Sequence, residues 1–436
     1  MDSLVIRGGR KIKGEIDIQG SKNSALPILC SCILVKGIVV LHNVPNITDI
    51  HITIEILKSL GAIVKIENNN TIIIDSTNIN SSVVPYSLAH KMRSSIIFLG
   101  SLLGRMGEVT IGYPGGCKLG ARPIDLHLKS LISLGVNITE DEEGIKCVCN
   151  NLFGNKINLS FKSVGATQNI ILAAVCAKGA TIIKNAATEP EILDMIAMLN
   201  KCGSKIKVIG DTIIIDGVKK LNGTEYTVMS DRIVAGTYLA TAAITNGEIY
   251  LKGVKTKQIY PITKIFEDMG MDIRTYDNFV FAKTNRLKAV NITTSPHPGF
   301  PTDMQAQMMP VLSLSKGISS IEETIFESRD KHISELNKMG ANITIMENYK
   351  ENKKTTFIIN EINNFTGNVV YAKDLRGGAA LVIAGLCAEG ITIVEGYEYI
   401  KRGYQNIIKD LKSLGADISN NINISNVISE KSHILA

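Results

Sequence analysis

The sequence has no tryptophan, and only 5% of its 436 residues are aromatic. With a formal charge of just +6 and no Lys/Arg-rich tail, it lacks the dense basic surface and stacking residues expected of a nucleic-acid binder. The mild positive balance suits small anionic substrates better. The eight cysteines, at positions 30, 32, 117, 147, 149, 176, 202 and 387, form no Cys-x-x-Cys pair. Neither they nor the seven histidines show a zinc spacing, so no structural metal and a reducing compartment are expected. The longest apolar run, Ala25 to Val35, is too short for a bilayer and contains Pro27. The opening MetAspSerLeuValIleArgGlyGlyArg lacks the charged-then-apolar order of a secretory signal. These absences predict a cytoplasmic protein with no membrane or nucleic-acid partner.

What is present is a repeat. A glycine followed by a strand-like run recurs, at a nearly constant spacing, at Gly37, Gly107, Gly179, Gly247, Gly317 and Gly390. A second glycine follows within each unit, at Gly61, Gly135, Gly203, Gly270, Gly340 and Gly415. Each second glycine closes an apolar helical pattern, where a left-handed residue stops a helix. Alternating segments such as 62–75 and 205–216, each broken by a short polar turn, predict β-hairpins. Six α/β units in two domains of three is the simplest packing. A solenoid is the alternative, but solenoid repeats usually run about 20 to 50 residues, shorter than the spacing seen here.

Chemistry-bearing residues follow the same period. The helix leading to each first glycine starts about four helical turns earlier. Five of those starts carry Lys22-Asn23, Arg93, Asp231-Arg232, Asp303 and Asp374-Arg376. The remaining start reads LysSerValGlyAlaThrGln (162–168). Helix N-termini offer free N–H groups and a positive dipole end that suit phosphate. Asp and Ser there are ordinary caps. The cations are not, because the dipole disfavours them. If symmetry gathers these starts, an anion-binding interdomain cleft results. One further stretch, ProGlyGlyCysLysLeuGlyAlaArgProIleAspLeuHis (114–127), places Cys117 on paired glycines beside cations. Such a setting favours an accessible thiolate over a buried structural thiol.

Seven segments in collinear order resemble the UDP-N-acetylglucosamine enolpyruvyl-transferase family: 21–27, 90–95, 115–127, 163–170, 230–237, 296–307 and 374–381. The resemblance implies an α/β fold, a two-domain inside-out α/β barrel of six βαβαββ units, with residues 22–229 in one domain and 1–21 plus 230–436 in the other. It implies a cytoplasmic transferase of peptidoglycan synthesis, needing no cofactor. Its substrates are phosphoenolpyruvate and UDP-N-acetylglucosamine, and its inhibitor is fosfomycin. Cys117 matches the family's proton donor and the site of fosfomycin alkylation. Asp303 matches the carboxylate at the sugar hydroxyl. Lys22, Asn23 and Arg402 complete the catalytic set, and Arg122 and Arg376 join them around phosphoenolpyruvate. Arg93, Arg122, Pro123, Ile124, Asp125, Leu126, Lys162, Ser163, Val164, Gly165, Asp303 and Ile325 match nucleotide-sugar contacts. His127, Asp231, Arg232, Arg329 and Asp374 are expected to line the same cleft.

The chain departs from the family pattern at Thr48, Lys162, Ser328 and Lys401. None of these removes a proposed catalytic group, but they bear on anion geometry near Arg329 and Arg402. Two alternatives follow. One is the related 3-phosphoshikimate 1-carboxyvinyltransferase, against which the Cys117 loop argues. The other is a weakly active paralogue that binds the nucleotide-sugar.

Overall fold

A computed structural model describes residues 2–68, 70–115, 124–327, 329–347 and 354–421. Cys117, Arg122, Pro123 and Ser328, together with the tail beyond Asn421, lie outside the described residues.

The chain divides into two compact units. The N unit comprises Gln19–Asp231 with Pro296–Pro298, and the C unit comprises Met1–Ile18, Arg232–Ser295 and Gly299–Ala436. Each has its own apolar core, one including Leu29, Leu99 and Ile170, the other Tyr238, Met308 and Leu381.

Six inner helices contribute to these cores: α1 (Lys22–Ser31), α2 (Phe98–Met106), α3 (Val164–Ala174), α4 (Arg232–Ile244), α5 (Gln305–Ser313) and α6 (Leu375–Cys387). They lack a polar face. Every residue of α4 and α5 is buried, the expected state of a helix that is apolar all round. Small residues permit close approach. A Cβ at Gly100 in α2 would lie 2.4 Å from the Asn169 carbonyl of α3, and Gly100 N instead donates to Asn169 Oδ1 at 2.7 Å.

The sheets form the outer layer. Among the described residues there are six four-stranded sheets. In the first, Thr224–Thr227 runs parallel to Ile38–His42, which pairs antiparallel with Thr71–Asp75 and through it with Ile63–Glu67. The hairpins expected in 62–75 and 205–216 are present as antiparallel pairs. The second glycines Gly61, Gly135, Gly203, Gly270, Gly340 and Gly415 all have positive φ, between 93° and 107°, as helix stops require. Chain order is broken in three sheets: Thr224–Thr227 pairs with Ile38–His42, Lys13–Asp17 pairs with Glu248–Lys252, and Ser3–Arg7 inserts between Ile391–Glu395 and Asp417–Asn421, antiparallel to both. The N-terminal strand thus fills the slot that a returning hairpin strand fills in the other units.

Two helix starts differ from the simple expectation. Arg93 and Asp303 sit in 3-10 turns, Arg93–Ile97 and Thr302–Met304, ahead of α2 and α5. Met304 N bonds to Pro301 O at 2.9 Å, a tighter turn that satisfies donors a helix end would leave open.

Candidate active site

In the N unit, Lys22 opens α1 and its Nζ lies 2.7 Å from Asp49 Oδ2, with the side chains 13% and 3% exposed. Asp49 stands in the first turn of the outer helix Thr48–Ser59. The cation that the α1 dipole disfavours is therefore held by a buried carboxylate. Lys22 N is capped by Asp231 Oδ2 at 3.1 Å, so Asp231 serves the start of α1. Ser21, at the cap position itself, makes no capping bond. Its buried Oγ has no hydrogen-bond partner among the described residues.

Behind Lys22 and Asn23, the Ser24 hydroxyl donates to Asp194 Oδ2 in a short hydrogen bond. Asp194 also accepts from the Tyr226 hydroxyl at 2.6 Å and from Met229 N at 3.2 Å. Burial pushes the Asp194 carboxyl up despite these bonds, and burial with the adjacent Asp194 pushes Tyr226 up. Sequence reasoning missed both Asp49 and Asp194, because nothing in their local patterns marks a buried carboxylate.

The segments expected at the nucleotide-sugar meet at two helix starts. Asp125 opens the helix Asp125–Ser133, and Ser163 caps α3 by accepting from Ala166 N at 3.3 Å. His127 joins them: its Nδ1 lies 2.7 Å from Asn169 Nδ2, and a Cβ on Gly165 would fall 2.8 Å from its Cε1. A larger residue at 165 would push that ring aside. Ile124 and Leu126 pack against the core, while Val164 is 37% exposed. Asp125 pairs with Lys129 and Lys162 with Asp211, at 3.2 and 3.1 Å. Arg93 is half-buried, which pushes its guanidinium below its ordinary value.

In the C unit, Asp303 is held by two guanidiniums. Arg329 Nη2 donates to Oδ1 at 2.8 Å and Arg376 Nη2 to Oδ2 at 3.0 Å. The arginine side chains are 6% and 5% exposed, and Asp303 is 24% exposed. Burial would raise the Asp303 carboxyl, but Arg376 and Arg329 outweigh it and hold the group well below the usual carboxylate range. The disfavoured cation at the start of α6 thereby gains its counter-charge.

Asp374 caps α6, accepting from Arg376 N and Gly377 N at 3.0 and 2.9 Å. His332 is buried, and burial, opposed by Asp374 and reinforced by Arg329, pushes it down to about 4. The turn carrying Arg402 follows the helix Tyr397–Ile400. A Cβ on Gly403 would meet Leu375 Cδ2 at 2.5 Å, so this turn abuts the start of α6. Lys401 faces elsewhere, pairing with Asp2 at 2.7 Å and covering the Tyr397 ring. Arg232 opens α4 and is buried. Ile325 N is fixed by Glu323 Oε1 at 2.8 Å.

Asp303, Arg329 and Arg376 thus come together in one unit, and Lys22 with Asp231 in the other. A separate cavity of about 430 Å³ in the C unit, lined by Arg10, Lys11, Arg286 and Lys316 among others, lies near the opposite ends of α4, α5 and α6 and includes no predicted site residue. No cluster of metal-ligating side chains occurs among the described residues, and no helix among them is long and apolar enough to cross a membrane.

Comparison with known proteins adds the family context. A family model described as EPSP synthase (3-phosphoshikimate 1-carboxyvinyltransferase) matches residues 6–411. UDP-N-acetylglucosamine 1-carboxyvinyltransferase 2 of Caldanaerobacter subterraneus subsp. tengcongensis is 46% identical over 421 residues, covering 96% of this chain and 99% of the relative. The UDP-N-acetylglucosamine 1-carboxyvinyltransferase of the Wolbachia of Brugia malayi is 44% identical, with the same coverages. Among solved structures, the enolpyruvyl transferase NikO from Streptomyces tendae superposes with a TM-score of 0.86 at 20% identity, covering 96% of this chain and 99% of its own. An EPSP synthase from Acinetobacter baumannii gives 0.73 at 19% identity, covering 97% and 100%. At those identities the structural likeness speaks for the fold alone.

Proposed function

This chain belongs to the enolpyruvyl-transferase family whose model it matches, and from that premise we propose that it transfers the enolpyruvyl group of phosphoenolpyruvate to the 3′-hydroxyl of UDP-N-acetylglucosamine. The products are phosphate and the 3-O-(1-carboxyvinyl) nucleotide-sugar, the committed precursor of peptidoglycan, made in the cytoplasm. The observation that carries this reading is 46% identity over 96% of the chain to a protein of that activity.

The chemistry balances with the residues available. The sugar hydroxyl gives its proton to Asp303 while its oxygen bonds to C2 of phosphoenolpyruvate. Cys117 gives a proton to C3, and a tetrahedral ketal forms. In the second half C3 returns a proton to the Cys117 thiolate, the C2–O bond to phosphate breaks, and the departing phosphate takes the proton held on Asp303. Acid and base act at different atoms, as general catalysis of an addition requires. Lys22, Asn23, Arg122, Arg376 and Arg402 suit the phosphate and carboxylate, the guanidiniums by their planar two-point fit.

The geometry around Asp303 constrains this scheme. A carboxylate carrying two guanidiniums, held far below its ordinary range, is a weak base. Phosphoenolpyruvate brings a phosphate and a carboxylate that compete for Arg376. Release of that guanidinium restores basicity to Asp303 when the substrate is in place.

The test is phosphate release by purified protein supplied with phosphoenolpyruvate. Release that requires UDP-N-acetylglucosamine supports the reading. Release only with shikimate 3-phosphate, or tight nucleotide-sugar binding with no release, overturns it. Cys117→Asp should keep a working acid yet escape fosfomycin, because a carboxylic acid donates protons but reacts poorly with an epoxide. Full fosfomycin sensitivity of that variant would remove Cys117 from the scheme.

A further inference from the structure

We infer that Glu323 is a positioning residue for Asp303, acting through Thr302 and Arg329. Glu323 ends the strand Ser319–Glu323 and is fully buried, at 0% exposure. Its Oε1 accepts from the Thr294 hydroxyl at 2.9 Å, from Ile325 N at 2.8 Å and from Phe326 N at 3.2 Å. Its Oε2 accepts from the Thr302 hydroxyl at 2.8 Å. A carboxylate only accepts, so Thr302 gives its single proton to Glu323. That leaves a Thr302 lone pair for Arg329 Nη1, which donates to it at 2.8 Å. Arg329 Nη2 then donates to Asp303 Oδ1 at 2.8 Å.

The bonds from Glu323 to Asp303 are thus fixed in direction by one buried charge. A role confined to bracing the strand end accounts for Oε1, which gathers the loop bonds. It leaves Oε2, aimed at the residue next to Asp303, without a purpose. Arg329 is also held from its other sides. Its guanidinium stacks 4.8 Å from the Phe326 ring, and Gln305 Nε2 donates to its carbonyl at 3.2 Å. The same Glu323 therefore sets both the guanidinium on the proposed base and the loop that carries Ile325. When Arg376 turns to an anionic substrate, Arg329 still holds Asp303 Oδ1.

The inference rests on the proposed reaction, and its test separates the two. Glu323→Gln preserves size, and its amide oxygen can keep the loop bonds, but its NH2 group cannot accept from Thr302. Thr302→Val removes the hydroxyl directly. Each is expected to lower kcat by about 10-fold, with KM for the nucleotide-sugar within about 3-fold, and the double variant should be no slower than the worse single one. Thr302→Ser, which retains the hydroxyl, should recover most of the loss.

The Asp303 carboxyl, followed by carbon-13 NMR without turnover, should titrate at higher pH in Glu323→Gln than in the parent. Loss of the Glu323 charge alone would move it the other way. Unchanged kcat in Glu323→Gln, additive losses in the double variant, or a downward shift of Asp303 overturns the inference. If Glu323→Gln does not fold, Thr302→Val against Thr302→Ser decides it by the same readouts. If the parent has no transferase activity the proposed function fails, while the Asp303 titration still decides the link to Glu323.

Discussion

The two units solve the same electrostatic problem with opposite signs. In the N unit a cation at a helix start, Lys22, is held by a single buried carboxylate, Asp49. In the C unit a single carboxylate, Asp303, is held by two guanidiniums, one of them at a helix start. The first sets one cation against one carboxylate. The second sets two guanidiniums against one carboxylate, so one can turn to an incoming anion while the other still holds Asp303. Both helix starts tolerate cations that their dipoles oppose, because each has a carboxylate partner from another element. The two starts therefore hold different groups, a fixed cation in one unit and the proposed base under restraint in the other.

The largest effect that can break this contrast is expected at Asp303. Asp303→Asn keeps the shape but removes the proposed proton acceptor, and kcat should fall by about 100-fold to 10,000-fold, measured by steady-state phosphate release. A near-normal rate would mean that the base lies elsewhere. Lys22→Met removes the 2.7 Å partner of the buried Asp49 carboxylate, which should cost about 1 to 3 kcal/mol in stability, read from the urea midpoint. Adding Asp49→Leu should recover the stability but not the activity. If the double variant is as unstable as the single, the pair is not what holds α1 in place.

Smaller effects sharpen the picture. Asp194→Asn disturbs the bonds from Ser24, Tyr226 and Met229 behind α1 and should cost about 1 to 3 kcal/mol, again by urea unfolding. His332, pushed down to about 4 from an ordinary value of 6.5, takes its proton first in the unfolded chain. The parent should therefore lose stability as pH falls from about 6.5 to about 4 and lose no more from this group below that. His332→Gln should show a flatter stability profile across that window, and an identical slope would place the titration on another group. Lys401→Ala breaks an exposed pair with Asp2 and should change stability by less than about 1 kcal/mol.

Much of the fold was legible because its signals are local. Second glycines close helices through a backbone conformation that only their own residue type favours, and the hairpins at 62–75 and 205–216 announce themselves by alternation and a polar turn. The order break at the N-terminal strand was not legible from periodicity. Ser3–Arg7 enters its sheet between two strands from the far end of the chain, and only the family resemblance pointed to it. The candidate site divides in the same way. Lys22, Asp303 and Arg376 stood out because charges recur at helix starts on the repeat period. Asp49, Asp194 and Glu323 did not, because an acidic residue in a helix or at a strand end reads as solvated surface. What makes each of them matter is burial, and burial is fixed by long-range packing. Ser163 and Asp374, by contrast, make capping bonds of the kind their residue types suggest.

The most direct measurement is the mass and deuterium content of the product formed from phosphoenolpyruvate and UDP-N-acetylglucosamine in heavy water. Proton addition at C3 followed by elimination predicts a nucleotide-sugar carrying an enolpyruvyl ether, with deuterium in its vinyl methylene. An ether product without deuterium would contradict the addition–elimination scheme, and no ether at all would contradict the assignment of function.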